Sequence, residues 1–132
     1  MEEILKYLGA GATFFLATQD GDQPRVRPFG FAMDFNNKLY FVTGNQKDVF
    51  RQLKENPKCE ICAMASDGSW LRVSGEAVFD GNLDAKKKSF ELSPGLADIY
   101  QTPENPIYEV FYLKNIQATR YSFTAPPQKI FP

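Results

Sequence analysis

The sequence predicts a mainly β fold, closed into a small barrel with short helices inserted. Three observations carry this. Some six or seven runs of strand-forming residues alternate with short turn signals. Aromatic residues make up 14% of the 132-residue chain, with 12 Phe, 6 Tyr and 1 Trp, a bias that suits strands better than helices. The runs follow one another closely enough to read as mostly antiparallel, and such a sheet removes its edges by closing on itself. The length sets the expectation of one domain over residues 1–132.

The elements follow in order. Glu2 to Leu8 places Ile4, Leu5 and Leu8 at helical spacing, and Gly9 and Gly11 end the run. Thr13 to Thr18 reads as a buried strand, stopped by the turn Asp20-Gly21-Asp22. Arg25 to Asp34 reads as a second strand, which Asn36-Asn37 turns into a third, Lys38 to Thr43. Gln46 to Glu55 is helical, with Val49, Phe50 and Leu53 on one face, and Asn56-Pro57 stops it. Lys58 to Ala65 returns to strand. The turn Ser66-Asp67-Gly68-Ser69 leads into Trp70 to Phe79, the longest predicted strand. Two helical pieces follow, Asp84 to Leu92 and Pro94 to Tyr100, and then strands Tyr108 to Leu113 and Ile116 to Phe123 before a Pro-rich tail. No repeat, linker or low-complexity segment interrupts the chain.

Composition excludes several mechanisms. The chain contains no histidine, so a Ser-His-Asp triad, a Cys-His pair and a histidine-bound metal are all unavailable to it. A net charge of −1 argues against a broad electrostatic footprint for nucleic acid or anionic membrane, though a local basic pocket stays open. Its N-terminus is acidic and not a signal peptide, and no apolar run is long enough to span a membrane. With two cysteines and no secretion signal, the expected location is the cytoplasm. Cys59-Glu60-Ile61-Cys62 spells C-x-x-C, but on a strand positions i and i+3 point to opposite faces, so no metal or redox site is expected.

Three stretches carry candidate chemistry. In Arg25-Val26-Arg27-Pro28-Phe29-Gly30, strand alternation puts Arg25, Arg27, Phe29 and Phe31 on one face. Two guanidiniums beside two rings suit a ligand with an anionic end and a flat apolar end; two solvated arginines on an exposed strand end is the other reading. Pro28 donates no ladder hydrogen bond, so the strand is expected to be open or bulged there. In Thr43-Gly44-Asn45-Gln46-Lys47-Asp48, a helix N-terminus with Lys47 and the Thr43 hydroxyl could hold phosphate. Simple capping, with Asn45 as N-cap and Asp48 three residues on, accounts for the same residues. In Trp70 to Ala77, Leu71, Val73, Ala77 and then Phe79 form a core face, while Trp70, Arg72, Ser74 and Glu76 face outward as a ligand or subunit contact, or as a half-exposed strand with an Arg–Glu pair.

Together these stretches, with Phe15-Leu16-Ala17-Thr18, Leu39-Tyr40-Phe41-Val42-Thr43-Gly44 and Gln52-Leu53-Lys54-Glu55-Asn56-Pro57, resemble the FMN-binding split-barrel family of pyridoxamine 5′-phosphate oxidase-like proteins. The nitroimidazole-resistance-like small-domain branch is the most similar. The resemblance covers most of the chain and implies a split β-barrel of Greek-key type, forming a homodimer with FMN at the interface. It implies that Arg27 grips the FMN phosphate, with Arg25 beside it, that the flavin ring rests along Pro28, Phe29 and Gly30, and that Val42 and Thr43 contact the cofactor, with Asn45 nearby. Trp70 falls where the oxidases have a flavin-contacting glutamine, contributed across the dimer. Where the oxidases carry a basic pair this chain has Asp48-Val49, so Lys47 is expected to replace that charge, with Arg51 a second candidate. The oxidases' C-terminal Arg-x-His motif has no counterpart, which argues against pyridoxamine 5′-phosphate oxidation; a histidine invoked for nitroimidazole reduction is absent too. The implied activity passes electrons from NAD(P)H to a small acceptor, with no acidic or basic catalyst required. Its rivals are a non-catalytic flavin-binding or sequestering protein, a deazaflavin-type cofactor, and a barrel binding single-stranded nucleic acid.

Overall fold

Alternation of apolar side chains along the strands sets the architecture. The computed structural model describes residues 1–9 and 11–131. It runs α1 (Glu2–Leu8), β1 (Phe14–Asp20), β2 (Gln23–Phe29), β3 (Met33–Phe35), β4 (Lys38–Gly44), α2 (Asp48–Glu55), β5 (Lys58–Met64), β6 (Trp70–Phe79), α3 (Leu83–Leu92), α4 (Leu96–Tyr100), β7 (Tyr108–Tyr121) and β8 (Gln128–Phe131). Neighbouring strands pair antiparallel in the order β2-β1-β5-β6-β7-β4-β3, and β8 adds to β7. The result is the expected split β-barrel.

Two apolar clusters share this sheet. Inside the barrel, Phe14, Leu16, Phe41, Ile61, Leu71, Val73 and Phe111 pack together, and α1 closes one end with Ile4 and Leu8. Phe41 stacks on Phe111 at 5.3 Å, and Phe29 meets the Phe111 edge at 6.3 Å, tying β2 to the far side of the sheet. Each such buried ring contributes roughly 1.5–3 kcal/mol. On the outer face, α3 and α4 lay Ala85, Leu96 and Tyr100 over Tyr40, Tyr108 and Val110. Strand β4 is therefore covered on both faces, Phe41 inward and Tyr40 outward, which explains why its sequence is a continuous apolar run.

Turn chemistry places the hairpins where expected. Asn36 and Asn37 both take positive φ, 53° and 60°, as a two-residue hairpin turn demands. Gly21, at φ 60°, makes the β1–β2 turn. Asp67 accepts from the Ser69 backbone N–H at 2.8 Å and from its hydroxyl at 2.6 Å, fixing the β5–β6 turn. On β5, Cys59 is buried and Cys62 exposed, on opposite faces as the strand period requires.

Four expectations need correction. The predicted strand Arg25–Asp34 is two strands, because β2 pairs with β1 at one end of the sheet and β3 with β4 at the other. Its face pattern ends with it: Phe29 packs into the barrel and Phe31 against the outer cluster. The predicted strands Tyr108–Leu113 and Ile116–Phe123 are one strand, β7, which bends where its register with β6 shifts between Ser74 and Glu76; Asn115 lies there at φ 56°. Much of the Pro-rich tail forms β8, because the free edge of β7 at Ala118–Arg120 offers it a ladder; Pro132 lies outside the described residues. The helix after β4 begins at Asp48 rather than Gln46.

Candidate functional site

Gly30, Phe31 and Ala32 carry the chain from β2, one end of the sheet, to β3, the other. Two hollows meet beside this crossing. One, of about 300 Å³, is lined by Pro28, Phe29, Gly30, Phe31, Val42 and Thr43 on the strand side. The other, of about 550 Å³, adds Asp20, Arg25, Asp48 and Gln52. Arg27, Lys47 and Val49 line both, so the two read as one groove with an apolar end and a charged end. Pro28 sits on the open edge of β2 with no bulge, where a missing N–H costs no ladder bond. A larger hollow of about 770 Å³ lies over the outer sheet face, but Lys58, Glu60 and Glu76 mix its charges and give it no single sign.

The charged end is organised around Arg27. Its Nη1 donates to the Leu16 carbonyl at 3.0 Å and to Thr18 Oγ1 at 2.8 Å, and its Nη2 donates to Gln52 Oε1 at 2.5 Å. Burial holds this guanidinium below its ordinary value, and the nearby Asp48 charge works the other way; it stays protonated at any physiological pH. Arg25 and Arg51 are placed differently. Both reach the same carboxylate, Asp20, at 3.3 Å, and Arg51 also lies 3.7 Å from Glu55. Hydrogen bonds from Arg51, then Arg25, keep the Asp20 carboxyl below its usual range against the opposing effect of desolvation. Lys47 stands at the N-cap of α2, whose first N–H groups have no side-chain cap.

The apolar end carries an unmet polar atom. Thr43 is 3% exposed, and its Oγ1 has no hydrogen-bond partner among the described residues. Opposite the strands stands a wall of Ser93, the C-cap of α3, with Leu96, Ile99 and Tyr100 of α4. Burial alone raises the Tyr100 phenol above its ordinary value, so it stays protonated. The sequence predicts helix over Pro94 to Tyr100 but carries no local sign of a site there. Leu96 and Tyr100 are four residues apart and share a helix face, which is a legible signal of burial; nothing local says that this face folds back over β4.

Of the residues singled out in the sequence, the structure gathers Arg25, Arg27, Pro28, Phe29, Gly30, Val42, Thr43 and Lys47 at the groove. Three it does not. Asn45 is not the helix cap: its Nδ2 donates to the Pro106 carbonyl at 2.8 Å and to Glu109 at 3.0 Å, because β4 continues to Gly44 and the turn after it docks on the start of β7. Arg51 lies on the Asp20 side of α2, outside the lining of both hollows. Trp70 stacks on Tyr121 at 5.8 Å and meets Phe123 at 5.1 Å, away from the groove of its own chain. The Arg72 partner is Glu60 across the strand, at 2.6 Å, and not Glu76.

A family model described as pyridoxamine 5′-phosphate oxidase matches residues 1–121. The chain belongs to this family. Its fold is similar to that of a NimC/NimA family protein from Clostridium acetobutylicum, at 37% identity and TM-score 0.90, covering 98% of this chain and 93% of that one. At 16% identity and TM-score 0.62, it shares the fold of a pyridoxamine 5′-phosphate oxidase-related, FMN binding protein from Nostoc punctiforme, over 92% and 89% of the two chains. A heme binding protein from Mycobacterium smegmatis shares it at 15% identity and TM-score 0.72, over 89% of this chain and 52% of that one. Comparison with curated proteins finds no match. Among the described residues no helix is long and apolar enough to cross a membrane.

Proposed function

We propose that the groove binds FMN and that the protein is an oxidoreductase passing electrons from NAD(P)H to a small acceptor. The observation that carries this is the groove itself, an apolar hollow lined by Phe29, Phe31, Val42 and Leu96 that opens onto Arg27 and Lys47. An apolar hollow continuous with two cationic side chains suits a ligand with a flat ring at one end and a phosphate at the other. Arg27, Lys47 and the free N–H groups at the start of α2 would hold the phosphate. Pro28, Phe29, Gly30, Val42 and Thr43 would hold the ring, with Leu96 and Ile99 excluding water from its other side. Bound FMN supplies the electron-accepting and electron-donating ring.

A flavin fits these residues better than haem. An axial ligand to iron would have to come from His, Cys, Met or Tyr. Among the described lining residues Tyr100 alone is of that kind, and burial keeps it protonated. A flavin that is merely stored, or a deazaflavin, would occupy the same groove, and experiment separates them. Purified protein titrated with FMN should shift the flavin spectrum and gain thermal stability; no shift and no gain would refute cofactor binding. Arg27→Ala and Lys47→Ala should each weaken FMN affinity, Arg27→Ala by tenfold or more. Anaerobic NADH or NADPH should bleach the bound flavin, and a flavin that stays oxidised would leave a storage protein.

The second copy expected at the interface is part of the same proposal. Phe15, Val26 and Met64 are exposed on the outward face of β1, β2 and β5, and Phe123 is 92% exposed against Trp70. A homodimer would cover that face and would bring Trp70 to a groove other than its own.

A further inference from the structure

The two arginines at the charged end, Arg25 and Arg27, and Arg51 just outside it differ in what holds them. Arg25 and Arg51 share one carboxylate, Asp20, so much of their charge is cancelled in place. Arg27 is held by neutral oxygens only: the Leu16 carbonyl, the Thr18 hydroxyl and the Gln52 amide. Gln52 and Thr18 are 3% and 4% exposed, polar residues of α2 and β1 that are nonetheless buried. Thr18 Oγ1 also donates to Gln52 Oε1 at 2.6 Å, so two donors converge on that oxygen. This fixes which end of the amide faces Arg27, since an NH₂ group there would oppose both donors.

A guanidinium has five N–H donors. The three bonds use both protons of Nη1 and one of Nη2. Among the described residues the Nε–H and the second Nη2–H remain, and these two together form the side-on fork that suits a phosphate or carboxylate.

We propose that Gln52, braced by Thr18, is a positioning residue that turns Arg27 to offer its free side fork to an anionic group while placing no carboxylate of its own against it. The inference rests on the flavin reading and adds to it. A carboxylate at position 52 would hold the guanidinium equally well and defeat its purpose. An apolar side chain there would leave the charge and lose the orientation.

The test compares two ligands that differ only in the phosphate. FMN and riboflavin are titrated against the parent protein, Gln52→Glu and Gln52→Leu, following flavin fluorescence, with circular dichroism and melting as controls on folding. The parent should bind FMN at least tenfold more tightly than riboflavin. Both variants should bind riboflavin as the parent does and lose most of that preference. Gln52→Glu is the decisive variant, because it can keep both hydrogen bonds and so keeps the fold if Gln52→Leu does not. A merely structural role would weaken both ligands together, or would leave Gln52→Glu unchanged. An unaltered FMN-to-riboflavin ratio in the folded variants overturns the inference alone. A parent that binds neither flavin overturns the functional reading with it.

Discussion

At Thr43 the costs of folding and binding point in opposite directions. Its hydroxyl is buried without a partner among the described residues. Thr43→Val keeps the shape and removes the orphaned oxygen, so the ligand-free protein should gain stability, by about 1 kcal/mol. The same change should weaken FMN binding several-fold. A melting curve and a titration on one preparation check both, and a variant that lost stability with unchanged affinity would make the hydroxyl structural. Arg27 shows the opposite balance. Its donors satisfy buried acceptors in Thr18 and Gln52, so replacing it costs stability as well as binding. Both residues were legible in the sequence as a cation and a hydroxyl near turns. Their partners were not, because Gln52 lies 25 positions from Arg27 and meets it only through packing of α2 on β1.

At the scale of elements, the bend of β6 and β7 is held by a small residue. Opposite the bulge a Cβ on Gly75 would lie 3.0 Å from Leu113 Cβ and 3.2 Å from the Lys114 carbonyl. Gly75→Val should therefore destabilise by roughly 1–3 kcal/mol, read from denaturant midpoints, by forcing the two strands apart. An unchanged midpoint would show that β7 can shift instead. This bend lets one 14-residue strand serve β6 along one side and both β4 and β8 along the other. Period-two alternation reads Tyr108–Leu113 correctly as strand, and Ile116–Phe123 as far as Tyr121. It does not read the Lys114–Asn115 junction, because a turn and a bulge use the same residues locally and differ only in what pairs beyond them. The break at Gly30–Ala32 is hidden for a related reason: extended residues look alike whether or not a neighbour completes the ladder.

For the whole molecule, buried ionisable groups set how stability depends on pH. Burial pushes the Cys59 thiol from 9.0 up to about 12, and pushes the Tyr108 phenol from 10.0 up to about 12. Between pH 9 and 12 the unfolded chain has released the thiol proton and the folded chain keeps it. Stability fully present below pH 9 is thus lost as pH rises, by up to about 1.4 kcal/mol per unit for each such group. Melting temperature should fall between pH 9 and 10.5, and Cys59→Ala should flatten the slope; a flat parent profile would remove this assignment. Association is the other whole-molecule expectation. Light scattering should give twice the mass of one chain, and Met64→Glu on the outward face should yield a monomer with at least tenfold weaker FMN affinity. A monomeric parent, or a monomeric variant with full affinity, would separate the flavin site from dimerisation. By itself, the sequence determined the β-rich class, the hairpin turns at Gly21 and Asn36-Asn37, the opposite faces of Cys59 and Cys62, and a cationic stretch around Arg27, because period and turn chemistry are local. Tertiary structure alone decided that Arg25 and Arg51 are spent on Asp20, that Asn45 ties β4 to β7, and that α4 walls the groove. Each of those depends on which distant surface a side chain meets, and that is fixed only when the sheet closes.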